Sequence, residues 1–328
     1  MCRLLVVRSK QPVQLSNFTT KPAHSIIKQA SDCRLRLDGG PSNADGFGVA
    51  WYDADKDPEV LSSPCIFQAI TPAWSNRNLE RIANKVKSPL VFAHVRASTT
   101  GALSEENCHP WLYGCLLWMH NGCIGQFSAK VKRKLQAALS DEFYHVPLGS
   151  TDSEWAFALY LQLLSEALPH TNLRETPKFS FAVLRDVMLR LIKQLNTWAK
   201  EAGVTEPSLL NFAISDGYSI VCSRYISSKT QEAASLYFST GSSFDEVSPG
   251  TYRMRNHDRR ESLILVASEP LTFEKEDWLE IPCQTMIVIT PNMNLLQVPI
   301  VDEFWQDPHG PANRSLEFAT SKGMHFAK

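Results

Sequence analysis

The stretch FAVLRDVMLRLIKQLNTW, residues 181–198, decides the fold, because its pattern suits a helix lying flat on an apolar surface. Phe181, Leu184, Val187, Met188, Leu191, Ile192, Leu195 and Trp198 recur at spacings of three and four, leaving Arg185, Lys193 and, just beyond, Lys200 for water. Such a stripe predicts a helix that covers a sheet. Upstream, Ser153 to about Leu168 reads as a second helix, and Leu79, Ile82, Ala83 and Val86, after Ser75, mark a shorter one. On both sides of this helical middle the chain reads as strands. Before it come Arg3–Val7, Gly46–Tyr52, Cys65–Ile70, Leu90–Val95 and Leu116–His120. After it come Leu209–Ile214, Tyr218–Arg224, Leu236–Thr240, Leu263–Ala267, Thr285–Ile289 and Asn294–Val301. Strands, then helices, then strands predict an α+β layered fold.

At 328 residues and 44% hydrophobic, the chain can bury a full core. Lys plus Arg number 33 against 34 Asp plus Glu, so no long-range field draws in phosphate backbones or anionic lipid. Nucleic acid and membrane are therefore not expected partners, and no segment approaches the roughly 20 apolar residues of a membrane span. Eight cysteines, at 2, 33, 65, 108, 115, 123, 222 and 283, fall without paired spacing and mostly inside apolar runs. That suits reduced thiols and a cytoplasmic location. Turn-rich loops at Gly39-Gly40-Pro41 and Ser248-Pro249-Gly250 are too short to be linkers, and the polar stretch from Asp307 onward reads as a tail.

Five segments carry residue types suited to cleaving carbonyl compounds: Cys2, Asp45-Gly46-Phe47-Gly48, His94-Val95-Arg96, His120-Asn121-Gly122 and Thr151-Asp152-Ser153-Glu154. Removal of Met1 would leave Cys2 with a thiol and a free α-amine on one residue. An amine of pKa about 7.7 to 8.0 is matched as a base to a thiol of about 8.5. Each segment also has a plain structural reading. A histidine ending an apolar strand is commonly a core residue, Asn-Gly is commonly a turn, and Thr151 with Glu154 forms a Thr-x-x-Glu capping box.

Taken together and in this order, these segments resemble class II glutamine amidotransferase domains, a branch of the N-terminal nucleophile hydrolases. The Met1-Cys2-Arg3 start and the His-Val-Arg-Ala-Ser-Thr run at 94–99 strengthen the likeness. The resemblance implies an α+β, four-layer αββα sandwich over residues 2–306, with the motifs concentrated in 2–155 and a polar C-terminal tail over 307–328. It implies Cys2 as nucleophile. The Asn121 side-chain amide and Gly122 N–H resemble the donors that receive the tetrahedral oxyanion. Arg96 resembles the grip on a substrate α-carboxylate, a task suited to a planar fork of donors, and Asp152 the partner of the α-ammonium. Ser98, Thr99 and His109 are expected to line the pocket, and Asp45 and Gly46 to close over the nucleophile. Ala44 stands where glycine is often expected, which bears on the local turn. No cofactor and no metal is implied.

Within the family the chain is most similar to subunits of glutathione-degrading complexes. The resemblance then implies γ-glutamyl hydrolysis of glutathione beside a larger, peptidase-like partner protein. Glutamine presents the same α-amino acid end, so Arg96 and Asp152 do not separate the two substrates. A glutaminase feeding ammonia to a synthase and a non-catalytic scaffold remain open alternatives. A zinc hydrolase built on His94, His109, His120, Cys108, Cys115 and Cys123 is disfavoured by spacing, since no C-x-x-C or helical His pair occurs. The Arg-dense segment from Thr251 to Ser262 reads as solvated charge.

Overall fold

The structure, a computed structural model, describes residues 2–31, 43–54, 60–97, 103–257 and 261–306. The chain opens with strand β1 (Arg3–Gln14), short helices α1 (Ser16–Thr19) and α2 (Ile26–Ser31), strands β2 (Phe47–Trp51) and β3 (Cys65–Ala69), helix α3 (Arg77–Ala83) and strands β4 (Lys87–Val95), β5 (Trp111–Tyr113) and β6 (Leu116–Cys123). Helices α4 (Lys132–Ala137), α5 (Asp141–Tyr144), α6 (Asp152–Ala167) and α7 (Phe181–Glu201) follow. The remainder is strands: β7 (Leu209–Ser215), β8 (Ile220–Arg224), β9 (Tyr237–Gly241), β10 (Ser243–Ser248), β11 (Thr251–Arg255), β12 (Leu263–Ala267), β13 (Leu279–Glu280), β14 (Thr285–Ile289) and β15 (Leu295–Pro299).

Two antiparallel sheets take up all of these strands except β10 and β11, which pair with each other. One has the order β13-β9-β12-β1-β4-β2-β3 and the other β15-β14-β8-β7-β6-β5. Each sheet combines strands from both ends of the chain, so neither end forms a sheet by itself. Alternation along β1 shows how the layers arise: Leu4 and Val6 join an apolar core with Leu117, Met119, Ala213, Ile287 and Ile289 of the other sheet. Leu5 and Val7 point the other way, into a core shared with Phe18, Ile26, Leu79 and Ala83 of the first three helices. The second sheet turns Trp118, Phe212 and Val288 onto α6 and α7. This is the α+β αββα sandwich, with the expected stripe of α7, from Leu184 to Leu195, buried on the second sheet. Each fully buried aliphatic side chain in these layers contributes about 1.5–3 kcal/mol.

Three local expectations need correction. The strand from Leu116 does not end at His120 but runs through Asn121 and Gly122 to Cys123, paired with β7. A Cβ on Gly122 would lie 1.9 Å from the Leu209 carbonyl oxygen, so glycine here permits strand pairing and not a turn. The Arg-dense segment begins as a strand, Thr251–Arg255: β10 and β11 form a hairpin about Pro249 and Gly250, burying Phe244, Tyr252 and Met254 beneath a charged outer face. Arg253 pairs with Asp277 at 3.1 Å. The third correction is helix α3, which is capped by Asn76 accepting the Leu79 N–H at 2.9 Å and ends at Ala83, before Val86. The loop at Gly39-Gly40-Pro41 and the tail 307–328 lie outside the described residues. Among those described, no helix is long and apolar enough to cross a membrane.

Candidate active site

Cys2 immediately precedes β1, and its parity with Leu4 and Val6 turns its side chain toward the space between the sheets. Its Sγ lies 3.4 Å from the Ala97 backbone nitrogen and 3.5 Å from the Ala97 carbonyl oxygen. Burial pushes the thiol above its ordinary pKa, opposed by the Ala97 N–H and by the Arg96 and Arg3 guanidiniums. The thiol is therefore protonated at neutral pH, and its use as a nucleophile requires a base.

Arg96 leaves the end of β4 and is buried, 3% exposed. Its backbone N–H donates to the Gly46 carbonyl at 2.8 Å, and its carbonyl accepts the Asp45 N–H at 3.2 Å. Its Nη1 donates to the Asp45 carbonyl at 3.4 Å. The Asp45-Gly46 loop is thus clamped onto the residue beside the thiol. Gly46 has φ of +110°, and a Cβ there would meet Cys108 Sγ at 2.7 Å and the Ala69 carbonyl oxygen at 2.9 Å, so both conformation and space demand glycine.

The second sheet supplies Asn121, fully buried, on the β6 face that also carries Leu117 and Met119. Its Nδ2 lies 3.0 Å from Ser268 Oγ, which also accepts the Leu4 N–H at 3.0 Å. That pair of contacts ties β6 to the beginning of β1. At the other side Asp152 opens α6, accepting the Ile124 N–H at 2.7 Å on Oδ2 and the Ser153 N–H at 2.8 Å on Oδ1. It therefore serves the helix N-terminus and grips the chain just past Gly122. Thr151 caps the helix, its Oγ1 accepting the Glu154 N–H at 3.4 Å. Glu154 does not complete the expected box. It accepts the Leu148 and Gly149 N–H groups at 2.8 and 2.7 Å instead.

Two of the three histidines come together and the third turns away. His94 stacks on His109 with ring centroids 3.8 Å apart, and His109 packs against Trp111. Burial lowers His94 to about 3 and holds His109 well below the usual range, so both rings are neutral at pH 7. His109 accordingly sits in a wall beside Arg96, its ring against His94 and Trp111. His120 faces the helices, with Nδ1 2.8 Å from Ser153 Oγ and Nε2 2.9 Å from the Leu209 carbonyl. Cys115 points to the Thr176 carbonyl at 3.2 Å. Among the described residues no three His, Cys, Asp or Glu side chains converge on a point that could hold a metal ion. Ser98 and Thr99 lie outside the described residues.

Two residues that hold the start of β1, Glu269 and Ser268, escape a reading of motifs. Arg3 forms a fully buried ion pair with Glu269, Nε to Oε1 at 2.6 Å, and its Nη1 donates to the Cys2 carbonyl at 3.1 Å. Ser268 is the other. Both partners follow β12, and only the in–out alternation of Leu263–Ala267 hints that position 268 faces the inter-sheet space.

Comparison with known proteins bears on this arrangement. The family model for class II glutamine amidotransferases matches residues 1–298. The chain is 52% identical over 330 residues to the probable glutamine amidotransferase DUG3 of Saccharomyces cerevisiae, covering 99% of this chain and 91% of that protein. It is 29% identical over 125 residues, 38% of this chain and 50% of the relative, to a gamma-glutamyl-hercynylcysteine sulfoxide hydrolase of Mycobacterium tuberculosis. Among solved structures, a glutamine aminotransferase class-II domain protein from Silicibacter pomeroyi superposes with a TM-score of 0.58 at 26% identity, over 91% of this chain and 99% of that one. A predicted glutamine amidotransferase from Pseudomonas aeruginosa gives a TM-score of 0.51 at 19% identity, over 90% and 99% respectively, a likeness of fold. With its two-sheet sandwich and a family match spanning nearly all its length, the chain belongs to the class II glutamine amidotransferases.

Proposed function

We propose that the chain hydrolyses γ-glutamyl amides through Cys2, made N-terminal by removal of Met1, and that its substrate is glutathione, cleaved to glutamate and cysteinylglycine. The carrying observation is the placement of the Cys2 thiol against Ala97, the residue after Arg96, with Asn121 on the opposite sheet tied through Ser268 to the start of the same strand. In the first step the Cys2 sulfur bonds to the γ-carbonyl carbon while the α-amine takes the thiol proton. The Asn121 amide and the Gly122 N–H receive the negative oxygen. Collapse breaks the C–N bond, and the amine returns its proton to the departing cysteinylglycine nitrogen. Water then attacks the thioester, releasing glutamate and restoring the thiol. Arg96 and Asp152 hold the substrate α-carboxylate and α-ammonium, with opposite charges fixing its direction. His109 lines the pocket, and Asp45 with Gly46 forms its cover.

Every described strand from Leu209 onward joins the two sheets or the hairpin packed on them. This supports hydrolysis as the whole reaction of this chain, or use of its product by another. The hydrolase named for a γ-glutamyl substrate among its relatives supports a leaving group larger than ammonia. We place the reaction in the cytoplasm, beside a larger peptidase-like partner that consumes the dipeptide. Glutamine cleavage is the second reading, favoured by the family match itself. Protein purified with its native partner should release cysteinylglycine from glutathione faster than ammonia from glutamine. Replacing Cys2 with Ala should abolish both, and turnover that survives the replacement overturns the nucleophile assignment. Faster ammonia release would instead select the glutaminase.

A further inference from the structure

The Asn121 amide is buried completely, and its Oδ1 has no hydrogen-bond partner among the described residues. Its Nδ2 is 3.0 Å from Ser268 Oγ. That hydroxyl also receives the Leu4 N–H at 3.0 Å, so with Nδ2 facing it the hydroxyl accepts twice while its own proton meets no described acceptor. A buried carbonyl without a donor loses its hydration and gains nothing in return. A half-turn of the amide exchanges two groups of equal shape and removes both deficits. The hydroxyl then accepts from Leu4 and donates to Asn121 Oδ1, and the two amide N–H bonds turn away from Ser268. The Leu4 N–H fixes one lone pair, which directs the single hydroxyl proton toward the amide.

We propose that Ser268 is a positioning residue for this reaction: it anchors the Asn121 carbonyl and thereby aims the Asn121 N–H at the oxyanion formed on Cys2. The proposal rests on the Cys2 reading above. Without the anchor the amide can sit either way, and an oxygen facing the oxyanion would repel it. The geometry explains why a serine stands at this place. Its backbone continues the β1–β12 ladder, with the Ser268 N–H donating to the Leu4 carbonyl at 3.0 Å, so its side chain cannot drift. Ser235 Oγ in turn donates to the Ser268 carbonyl at 2.9 Å. The sheet that carries the nucleophile thus sets the orientation of the donor on the other sheet.

The test is a kinetic cycle on the full chain with its native partner, reading glutamate release from glutathione and glutamine. Ser268→Ala should lower kcat about 10- to 100-fold while KM stays within about twofold, because the amide acts after substrate is bound. Asn121→Ala should cost more, about 100- to 1000-fold, and the double variant should be no slower than Asn121→Ala alone, within about threefold. Ser268→Thr retains the hydroxyl and should recover kcat. A melting curve accompanies each variant. If Ser268→Ala does not fold, Ser268→Cys, of similar size but a weak donor, takes its place in the cycle. Full kcat in a folded Ser268→Ala or Ser268→Cys, or a double variant slowed by the product of the two single effects, overturns the proposal. Cys2→Ala serves as the separate control. If it stays active the nucleophile reading falls, whereas an inactive Cys2→Ala beside a fully active Ser268→Ala removes Ser268 alone.

Discussion

Arg96 illustrates what a single residue must satisfy here, since a guanidinium that is 3% exposed needs strong partners to offset its lost hydration. The Asp45 carbonyl at 3.4 Å is one of its contacts, and we propose that a bound α-carboxylate adds one of opposite charge. Arg96→Lys keeps the charge but loses the fork, at a cost of about 1.5–3 kcal/mol for a charge-assisted contact. KM for glutathione and for glutamine should therefore rise about 10- to 100-fold with kcat much less affected. The check is a substrate whose α-carboxylate is amidated. It should be cleaved equally by both proteins, and an equal KM penalty on that substrate would show that Arg96 acts structurally. Cys2, Asp45, Arg96, Asn121 and Asp152, the residues we propose for the site, stand out in sequence because each sits in a short run of characteristic residues. Ser268 and Glu269 do not. They lie 147 residues from Asn121 and 266 from Arg3, and only the pairing of β12 with β1 brings them in. A buried serine or glutamate carries no local pattern that announces its partner.

At the scale of an element, the entrance to α6 couples stability to pH. Glu154 is 2% exposed, and burial pushes it up to about 7 although the Leu148 and Gly149 N–H groups pull the other way. With the folded value above the ordinary 4.5, the neutral carboxyl favours the fold. Its contribution is complete below about pH 4.5 and is lost as pH rises to about 7. Glu154→Gln stays neutral throughout. Wild type should thus lose up to about 3 kcal/mol relative to the variant across that window and hold a constant difference above it. Denaturant midpoints of both proteins from pH 4 to 8 would measure this, and a difference independent of pH would refute it. Elements were legible where alternation or a helical stripe was clean, as in β12 and α7. The β10–β11 hairpin was hidden because Asp245, Glu246, Arg253 and Arg255 dominate its composition, while burial of Phe244, Tyr252 and Met254 falls on one face only. Helix α6 was found but its capping box was half right, since Glu154 finds better donors in the preceding loop than in its own N-cap.

For the whole molecule, the proposed reaction is divided between two sheets that touch through an apolar layer. The nucleophile extends from the first sheet and the amide donor projects from the second, so the thickness of that layer sets the gap between sulfur and oxyanion donor. Met119 lies two residues before Asn121 on the same face of β6, fully buried among Leu4, Val6 and Phe92. Leu191 is equally buried, but on α7 in the outer layer. Truncating either to alanine should cost about 2–5 kcal/mol, through lost burial and the cavity left behind. Their effects on turnover should differ. Collapse around Met119→Ala would draw β6 toward the first sheet and displace Asn121, and a misplacement of about 1 Å can cost 100-fold. Leu191→Ala relaxes a helix whose other face meets water and leaves the inter-sheet spacing intact. Comparing kcat of the two variants at a temperature where both are fully folded separates geometry from stability. Equal kcat in both would mean that the second sheet contributes nothing to the chemistry that depends on its spacing, and the assignment of Asn121 would fall with it.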